Sequence, residues 1–245
     1  MRRALLILCL LVLSAPAPAA AATPAASVRL AACVPALEPD DRSATFEARA
    51  RAVRESVRMQ VRFTLQLREE DAGGWRRVVA GGLDEWLSSH PGVRRFSYAR
   101  TVENLAAPAS YRTLVRFRWL DADGAVLKVE RATSATCRQT DLRPDLSAPA
   151  VSATPAPAIG TRRYEVTVRN AGRSAAGAFA IGLRLGETEL PPLALAGLAA
   201  GQTRVIAFTG PDCTPELPLT VTVDPEDVVP ESNEDDNEPT PNCPA

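Results

Sequence analysis

The stretch VRMQVRFTLQLR, residues 57–68, decides the fold class of the first half of the chain. Its odd-numbered positions are all apolar, and its even-numbered positions are all Arg, Gln or Thr. Successive side chains of a β-strand point to opposite faces, so this period of two predicts a strand with one apolar and one polar face. A helix would scatter the same apolar residues around its axis.

The sequence around this stretch continues the pattern. Residues 111–119 alternate in the same way, the turn signal DADG follows at 121–124, and residues 126–132 return as a partner strand. Residues 27–34 and 44–52 predict two earlier strands. Short alternating strands separated by turns are typical of a β-sandwich. The segment GLDEWLSS, residues 82–89, is the one place where we expect one or two helical turns.

The second half of the chain predicts a second sandwich. Residues 164–168, 179–185, 203–209 and 217–223 have strand patterns. Between the halves lies DLRPDLSAPAVSATPAPAIG, residues 141–160, whose prolines exclude a helix and predict a linker that runs into an edge strand. The net charge also divides here, from +5 over residues 23–140 to −8 over residues 141–245. We therefore expect an all-β chain with two domains, residues 23–140 and 143–245.

The first 22 residues have the order of a secretory signal peptide. Two arginines precede an apolar run of ten residues and a small-residue stretch that ends near Ala20 or Ala22. The run is too short to cross a bilayer as a helix, and no later segment is apolar enough to do so. We expect a protein secreted to the cell envelope or the exterior.

Four cysteines follow the predicted signal peptide: Cys33, Cys137, Cys213 and Cys243. An even number in an exported chain predicts disulfides rather than a metal or redox site, and none forms a C-x-x-C pair. Four cysteines allow three pairings. The domain division favours Cys33–Cys137 and Cys213–Cys243.

The second half also resembles a known family. The relevant segments are YEVTVRNAGRSAAGAFAIGLRL (164–185), LAAGQTRVIAF (198–208) and VTVDPEDVVPESNEDDNE (221–238). They resemble, in order, the strand ending in Asn-x-Gly, the Gly-Gln connection and the closing acidic motif of CARDB, the cell-adhesion-related domain found in bacteria. The resemblance implies an immunoglobulin-like β-sandwich that serves as a spacer or as an adhesion or binding module. The first half resembles immunoglobulin or fibronectin sandwiches only in general terms.

No recognisable catalytic arrangement is present in the sequence. The only histidine, His90, lies in a turn-like Ser-Ser-His-Pro-Gly context, and no Gly-x-Ser-x-Gly elbow occurs. The acidic residues cluster in the tail instead of forming a recognisable acid–base pair. We expect a protein that is not an enzyme and needs no cofactor.

The acidic tail has two interpretations. Five residues are weak candidates for calcium ligands: Asp224, Glu231, Asn233, Glu234 and Asp236. The EF-hand spacing is absent. The favoured interpretation is that these side chains bond to nearby backbone groups or remain solvated.

The polar face of the first domain offers a weak ligand-binding candidate. Arg58, Arg62 and Arg68 share one strand face, and Arg112, Arg116 and Arg118 share another. If both strands belong to one sheet, the arginines could attract an anionic glycan or an acidic partner. The favoured alternative is a solvated sheet face that neighbouring Glu residues or the acidic second domain neutralise. Trp75 and Trp86 flank Gly-rich turns and either cap an end of the sandwich or stack on sugar rings. Nucleic acid is not expected, because the chain is exported and no aromatic residue interleaves this face.

These observations predict a non-catalytic binding, adhesion or structural module with an extracellular protein or glycan as partner. The alternative is a polysaccharide-binding protein that uses Trp75, Trp86 and the arginines Arg58, Arg62, Arg116 and Arg118.

Overall fold

The computed structural model of the chain describes residues 24–70, 73–214 and 218–244. The predicted signal peptide and its cleavage site lie outside these residues. The strands are β1 (Ala26–Val34), β2 (Ser43–Arg51), β3 (Arg58–Glu69), β4 (Arg76–Arg77), β5 (Leu87–Ser88), β6 (Arg95–Glu103), β7 (Ala109–Leu120), β8 (Val126–Thr133), β9 (Cys137–Gln139), β10 (Leu146–Pro155), β11 (Thr161–Asn170), β12 (Phe179–Leu185), β13 (Thr188–Glu189), β14 (Leu193–Leu195), β15 (Thr203–Pro211) and β16 (Leu219–Val223). The only helical element in the described ranges is a single 3₁₀ turn, Pro39–Asp41.

Two sheets form the first sandwich. One has the order β1-β2-β6, and the other is six-stranded, with the path β4-β3-β7-β8 and with β5 and β9 paired to β3 and β7. The apolar positions of β3 all point into the core, as their period of two predicts. Phe46 of β2 belongs to the same buried cluster as Phe63 of β3 and Phe117 of β7, so the two sheets pack face to face. Trp119 is fully buried there, and its indole N–H donates to the carbonyl of Arg51 at 2.7 Å.

The second sandwich has a core of its own. Its sheets are β10-β11-β15 and a four-stranded sheet in which β12 pairs with β13, β14 and β16. Tyr164 of β11, Ile181 of β12 and Val221 of β16 belong to one buried cluster. β10 is an edge strand, and its register with β11 shifts between Ser147 and Ala150, where Pro149 has no N–H for the ladder. The expected all-β class with immunoglobulin-like sandwiches is confirmed.

The segment 82–89 differs from the expectation of a short helix. Leu87 and Ser88 pair with Val61 and Gln60 of β3, so the segment folds onto the sheet as β5. The physical reason is that the strand register satisfies these backbone groups directly, whereas a segment of only eight residues that begins with a glycine forms a poor isolated helix.

Both predicted disulfides are confirmed. Cys33 and Cys137 are bonded with their Cα atoms 5.4 Å apart, and Cys213 and Cys243 with theirs 5.8 Å apart. The first bond joins β1 to β9 across the first sandwich, and the second joins the end of β15 to the C-terminal segment. Among the helices of the described ranges, none has the length and hydropathy that a membrane span requires.

Candidate functional site

The outer face of the six-stranded sheet carries the polar half of the alternation. β3 and β7 are antiparallel along their whole length, from Arg58 opposite Leu120 to Glu69 opposite Ala109. Because both strands alternate with a period of two and their apolar positions are buried, the polar positions of both point to the same outer side. The two sets of arginines predicted from the sequence therefore share one surface, which we call the arginine face.

Like charges lie directly beside one another on the arginine face. Arg62 is opposite Arg116, and Arg116 is opposite Arg131 of β8, which gives a row of three arginines across three strands. Cross-strand pairs of like charge are destabilising unless something neutralises them. The N–H at Nε of Arg62 and that of Arg116 are buried and have no hydrogen-bond partner.

Two carboxylates beside the arginine face, Asp84 and Glu70, are already paired with other arginines. Arg77 pairs with Asp84 at 2.7 Å, and Arg138 pairs with Glu70 at 2.5 Å. Thr64 donates a hydrogen bond to Asp84 at 2.6 Å. Seven arginines of this face have no ion-pair partner among the described residues: Arg58, Arg62, Arg68, Arg112, Arg116, Arg118 and Arg131.

Two tryptophans lie over these arginines, and strand register explains their positions. β4 pairs Arg76 with Leu67 of β3, so the preceding residue, Trp75, falls beside Arg68. β5 pairs Leu87 with Val61, so Trp86 falls beside Arg62. Each tryptophan thus directly precedes a two-residue strand, and at that position its side chain points to the outer face.

The contacts form two clusters of identical composition. In the first cluster, the guanidinium carbons of Arg62 and Arg118 lie 5.0 and 4.0 Å from the ring centroid of Trp86, and Arg118 donates to the side chain of Gln60. In the second cluster, those of Arg68 and Arg112 lie 4.9 and 4.1 Å from the centroid of Trp75. There Arg112 donates to the side chain of Gln66 at 2.8 Å.

These contacts position the cations and leave their charge available. A guanidinium over an aromatic ring gains about 0.5–2 kcal/mol and loses rotamer freedom, but it keeps the N–H groups at its edge. Planar N–H forks of this kind match the oxygens of carboxylate, sulfate or phosphate groups. The arrangement is therefore able to bind a ligand with several negative charges.

Two expectations about this face are wrong. Trp75 and Trp86 do not cap an end of the sandwich, because the short strands β4 and β5 carry them onto the sheet face. Aromatic residues therefore do interleave the arginines, and the expectation that nucleic acid is not a partner now depends on export alone. Arg58 is on the predicted face but opposite Leu120, at the end of the strand pair and outside both clusters.

Sequence reasoning missed three contributors to this face. Arg131, Gln60 and Gln66 occupy outward positions of β8 and β3. Their period-two positions predict that these side chains point outward. Which arginines they lie beside depends on the cross-strand register with β7, which the sequence alone does not give.

The five calcium candidates of the tail bond mostly to backbone N–H groups. Asp224 accepts from Val229 at 2.7 Å, Glu234 from Glu231 at 2.7 Å and Asn233 from Asp235 at 3.3 Å. Glu231 is 1% exposed and accepts from the N–H of Leu146 and, at 3.1 Å, from the side chain of Asn237. Asp236 is exposed. No grouping of His, Cys, Asp and Glu fit for a metal is found in the described ranges, and calcium binding stays a prediction.

Burial gives Glu231 an unusual pKa. Desolvation, assisted by the nearby Glu234 and Asp224 carboxylates, raises the pKa of Glu231 from 4.5 to about 7, against the opposing hydrogen bonds from Leu146 and Asn237. The side chain joins the tail to the start of β10 through its hydrogen bond from the N–H of Leu146. We assign it to the stability of the second sandwich.

Comparison with known proteins supports the family resemblance of the C-terminal half. The CARDB family model matches residues 143–241, about two fifths of the chain. No curated protein sequence matches the chain.

Three solved structures match the chain at low similarity. Red sea bream transglutaminase has 10% identity and a TM-score of 0.31 over 82% of this chain, which spans 29% of the transglutaminase. The chaperone–tip adhesin complex of CFA/I fimbriae has 10% identity and a TM-score of 0.28 over 90% of this chain and 99% of that one. A GH2 beta-galacturonidase from Eisenbergiella tayi has 9% identity and a TM-score of 0.30 over 82% and 36%. Similarities this low carry no functional argument.

Proposed function

We propose that the protein is a non-catalytic binding module of the cell envelope or exterior, and that its first domain binds an acidic polysaccharide on the arginine face. The CARDB match of the second domain supports an adhesion-related role. The two disulfides support an oxidising location, since such bonds form and persist outside the cytoplasm. We assign no catalytic role to the single histidine, His90, which is exposed.

One observation carries the choice of an anionic ligand. Seven arginines share a face and have no ion-pair partner among the described residues, and three of them stand side by side. Charges arranged in this way destabilise the sheet until an anion binds. A neutral sugar that stacks on tryptophan is less well supported, because arginines already contact both rings.

The test compares a charged and an uncharged polymer with the same backbone. Dextran sulfate and dextran of equal length are titrated into the oxidised full chain, and heat and melting temperature are measured. We expect dextran sulfate to bind, to raise the melting temperature and to lose affinity as NaCl increases, because the contacts are partly solvent-exposed. Uncharged dextran should leave both readings unchanged.

A charge-matched pair of variants gives this test its specificity. Arg62→Gln combined with Arg116→Gln should reduce the affinity for dextran sulfate by roughly tenfold or more, because two charge-assisted contacts are lost. Arg173 and Arg204 are exposed arginines of the second domain. Arg173→Gln combined with Arg204→Gln removes the same charge there and should stay within about twofold. Equal losses in both variants, or equal binding of dextran, would refute the proposal.

A further inference from the structure

The two clusters of the arginine face are related by a simple translation. Gln60 and Arg118 form a cross-strand pair in the first cluster, and Gln66 and Arg112 form the equivalent pair in the second. Both strands shift by six residues between them, from 60 to 66 on β3 and from 118 to 112 on β7. Arg62 and Arg68 follow their glutamines by two positions in each case.

The tryptophans obey the same translation although they come from different segments. Trp86 lies beside Arg62 through β5, and Trp75 lies beside Arg68 through β4. The ring-to-guanidinium distances agree between the clusters to about 0.1 Å, as 5.0 and 4.0 Å against 4.9 and 4.1 Å. A six-residue step along β-strands is about 20 Å, so the face presents the same four side chains twice along one line.

The surface between the two clusters lies on the line along β3 and β7 that joins them. Arg116 lies beside Arg62 on the neighbouring strand, and Thr64 and Leu114 are opposite each other midway. Both midway side chains are partly exposed. At this midpoint Thr64 donates to the Asp84 carboxylate at 2.6 Å, and Arg77 neutralises that carboxylate at 2.7 Å. Beside the second cluster the surface forms a groove of about 580 Å³. Arg68 and Arg138 line it together with Glu69 and Glu70, and these carboxylates pair with Arg76 and Arg138.

A repeated site on a straight line selects a repeated ligand. A polymer that carries its negative groups at regular intervals engages the second cluster intramolecularly once it occupies the first, and such bivalent binding is typically a hundredfold or more tighter than either contact alone. A monosaccharide or a short fragment gains nothing from the second cluster.

We propose that the ligand is a linear polysaccharide with regularly spaced carboxylate or sulfate groups, held along β3 and β7 by both clusters at once. This inference rests on the proposed function of the arginine face. It adds the shape of the ligand, its minimum length of about 20 Å and the equal participation of the two clusters.

The experiment measures affinity against ligand length. Heparin fragments from disaccharide to dodecasaccharide serve as the sulfated probe and oligogalacturonates of the same lengths as the carboxylated probe, with the oxidised full chain. Affinity should rise steeply, by roughly a hundredfold, where the fragment first exceeds about 20 Å. A smooth rise in proportion to the number of charges would overturn the two-cluster inference while the proposed function stands. No binding by any anionic fragment would overturn both.

Matched variants test the equivalence of the clusters. Arg62→Gln with Arg118→Gln disables the first cluster, and Arg68→Gln with Arg112→Gln disables the second. Each pair should reduce the affinity for long fragments to the level of short ones, by similar factors, with the circular dichroism spectrum unchanged. If one pair abolishes binding and the other has no effect, or if both lower only the melting temperature, the inference is wrong.

Nucleic acid provides the final discriminating probe. A single-stranded oligonucleotide with the charge of the longest heparin fragment should bind at least roughly tenfold more weakly, because a flexible strand loses more conformational freedom when both clusters hold it. Equal affinity for the oligonucleotide would overturn the assignment to a polysaccharide.

Discussion

Asn170 shows what a single residue type predicts and what it does not. The Asn-x-Gly pattern correctly indicated a turn after β11. The structure adds that Asn170 is fully buried and satisfies four backbone groups: its oxygen accepts from Asp145 and Gly172, and its amide donates to Ser174 and Leu198. Local chemistry predicted the turn, but the distant partners Asp145 and Leu198 follow only from the packed fold.

Glu231 leads to a prediction at the same scale. Its pKa is about 7 in the folded protein and near 4.5 when exposed, so the native state retains a proton that the unfolded chain has released between these values. The contribution of Glu231 to the free energy of unfolding is therefore greatest below pH 4.5. It decreases as the pH rises to 7, by an amount on the order of 3 kcal/mol. Chemical denaturation at a series of pH values from 4.5 to 7 should show the free energy of unfolding decrease as the pH rises.

The substitution Glu231→Gln removes the titrating group and should flatten this part of the stability profile. Glu226 is exposed in the same tail, and Glu226→Gln should leave the slope in place. A profile that keeps its slope in the Glu231 variant would show that another group causes it.

At the scale of strands, period-two patterns predicted well wherever a strand was long. β3 and β7 have twelve residues each, and their buried and outward faces follow the alternation. β4 and β5 have two residues each, which is too short for any period. Trp75 and Trp86 owe their positions to these short strands, so the candidate site was predicted as a set of arginines without its aromatic half.

The backbone before β10 packs closely against Gly172 in the turn after β11, and this contact leads to a prediction at the scale of strands. A Cβ on Gly172 would lie 2.5 Å from backbone atoms of Arg143, Pro144 and Asp145, so Gly172→Ala forces the entry to β10 away from the turn. We expect a loss of about 1–3 kcal/mol in the free energy of unfolding. A Cβ on Gly177 meets nothing within 4 Å, which makes Gly177→Ala a matched control with little effect. Equal stability of the two variants would refute this packing.

For the whole molecule, cysteine number and position predicted both bonds because each pair lies within one predicted domain. The bond Cys33–Cys137 spans 104 residues and Cys213–Cys243 spans 30. On the chain-entropy model the bonds contribute about 4.7 and about 3.6 kcal/mol. The angle between the sandwiches and the identity of a ligand have no such local signal in the sequence.

Selective removal of each bond gives the prediction at this scale. Because the two sandwiches have separate cores, Cys33→Ala with Cys137→Ala should lower the melting transition of the first, and Cys213→Ala with Cys243→Ala that of the second. Calorimetry of the two double variants should show one shifted transition each. A shift of both transitions in either variant would mean that the sandwiches unfold as one unit.

The attachment of the tail to residues 144–146 has a mechanical consequence. Ser232 donates from its backbone N–H to the carbonyl of Pro144 at 2.8 Å, and the Glu231 carboxylate accepts from Leu146, so the point where the chain enters the second sandwich is anchored to its closing segment. Tension transmitted from the first domain reaches this anchor before it reaches the β10–β11 ladder. Under load from the first domain the strand pair is therefore shielded from unzipping until the anchor gives way.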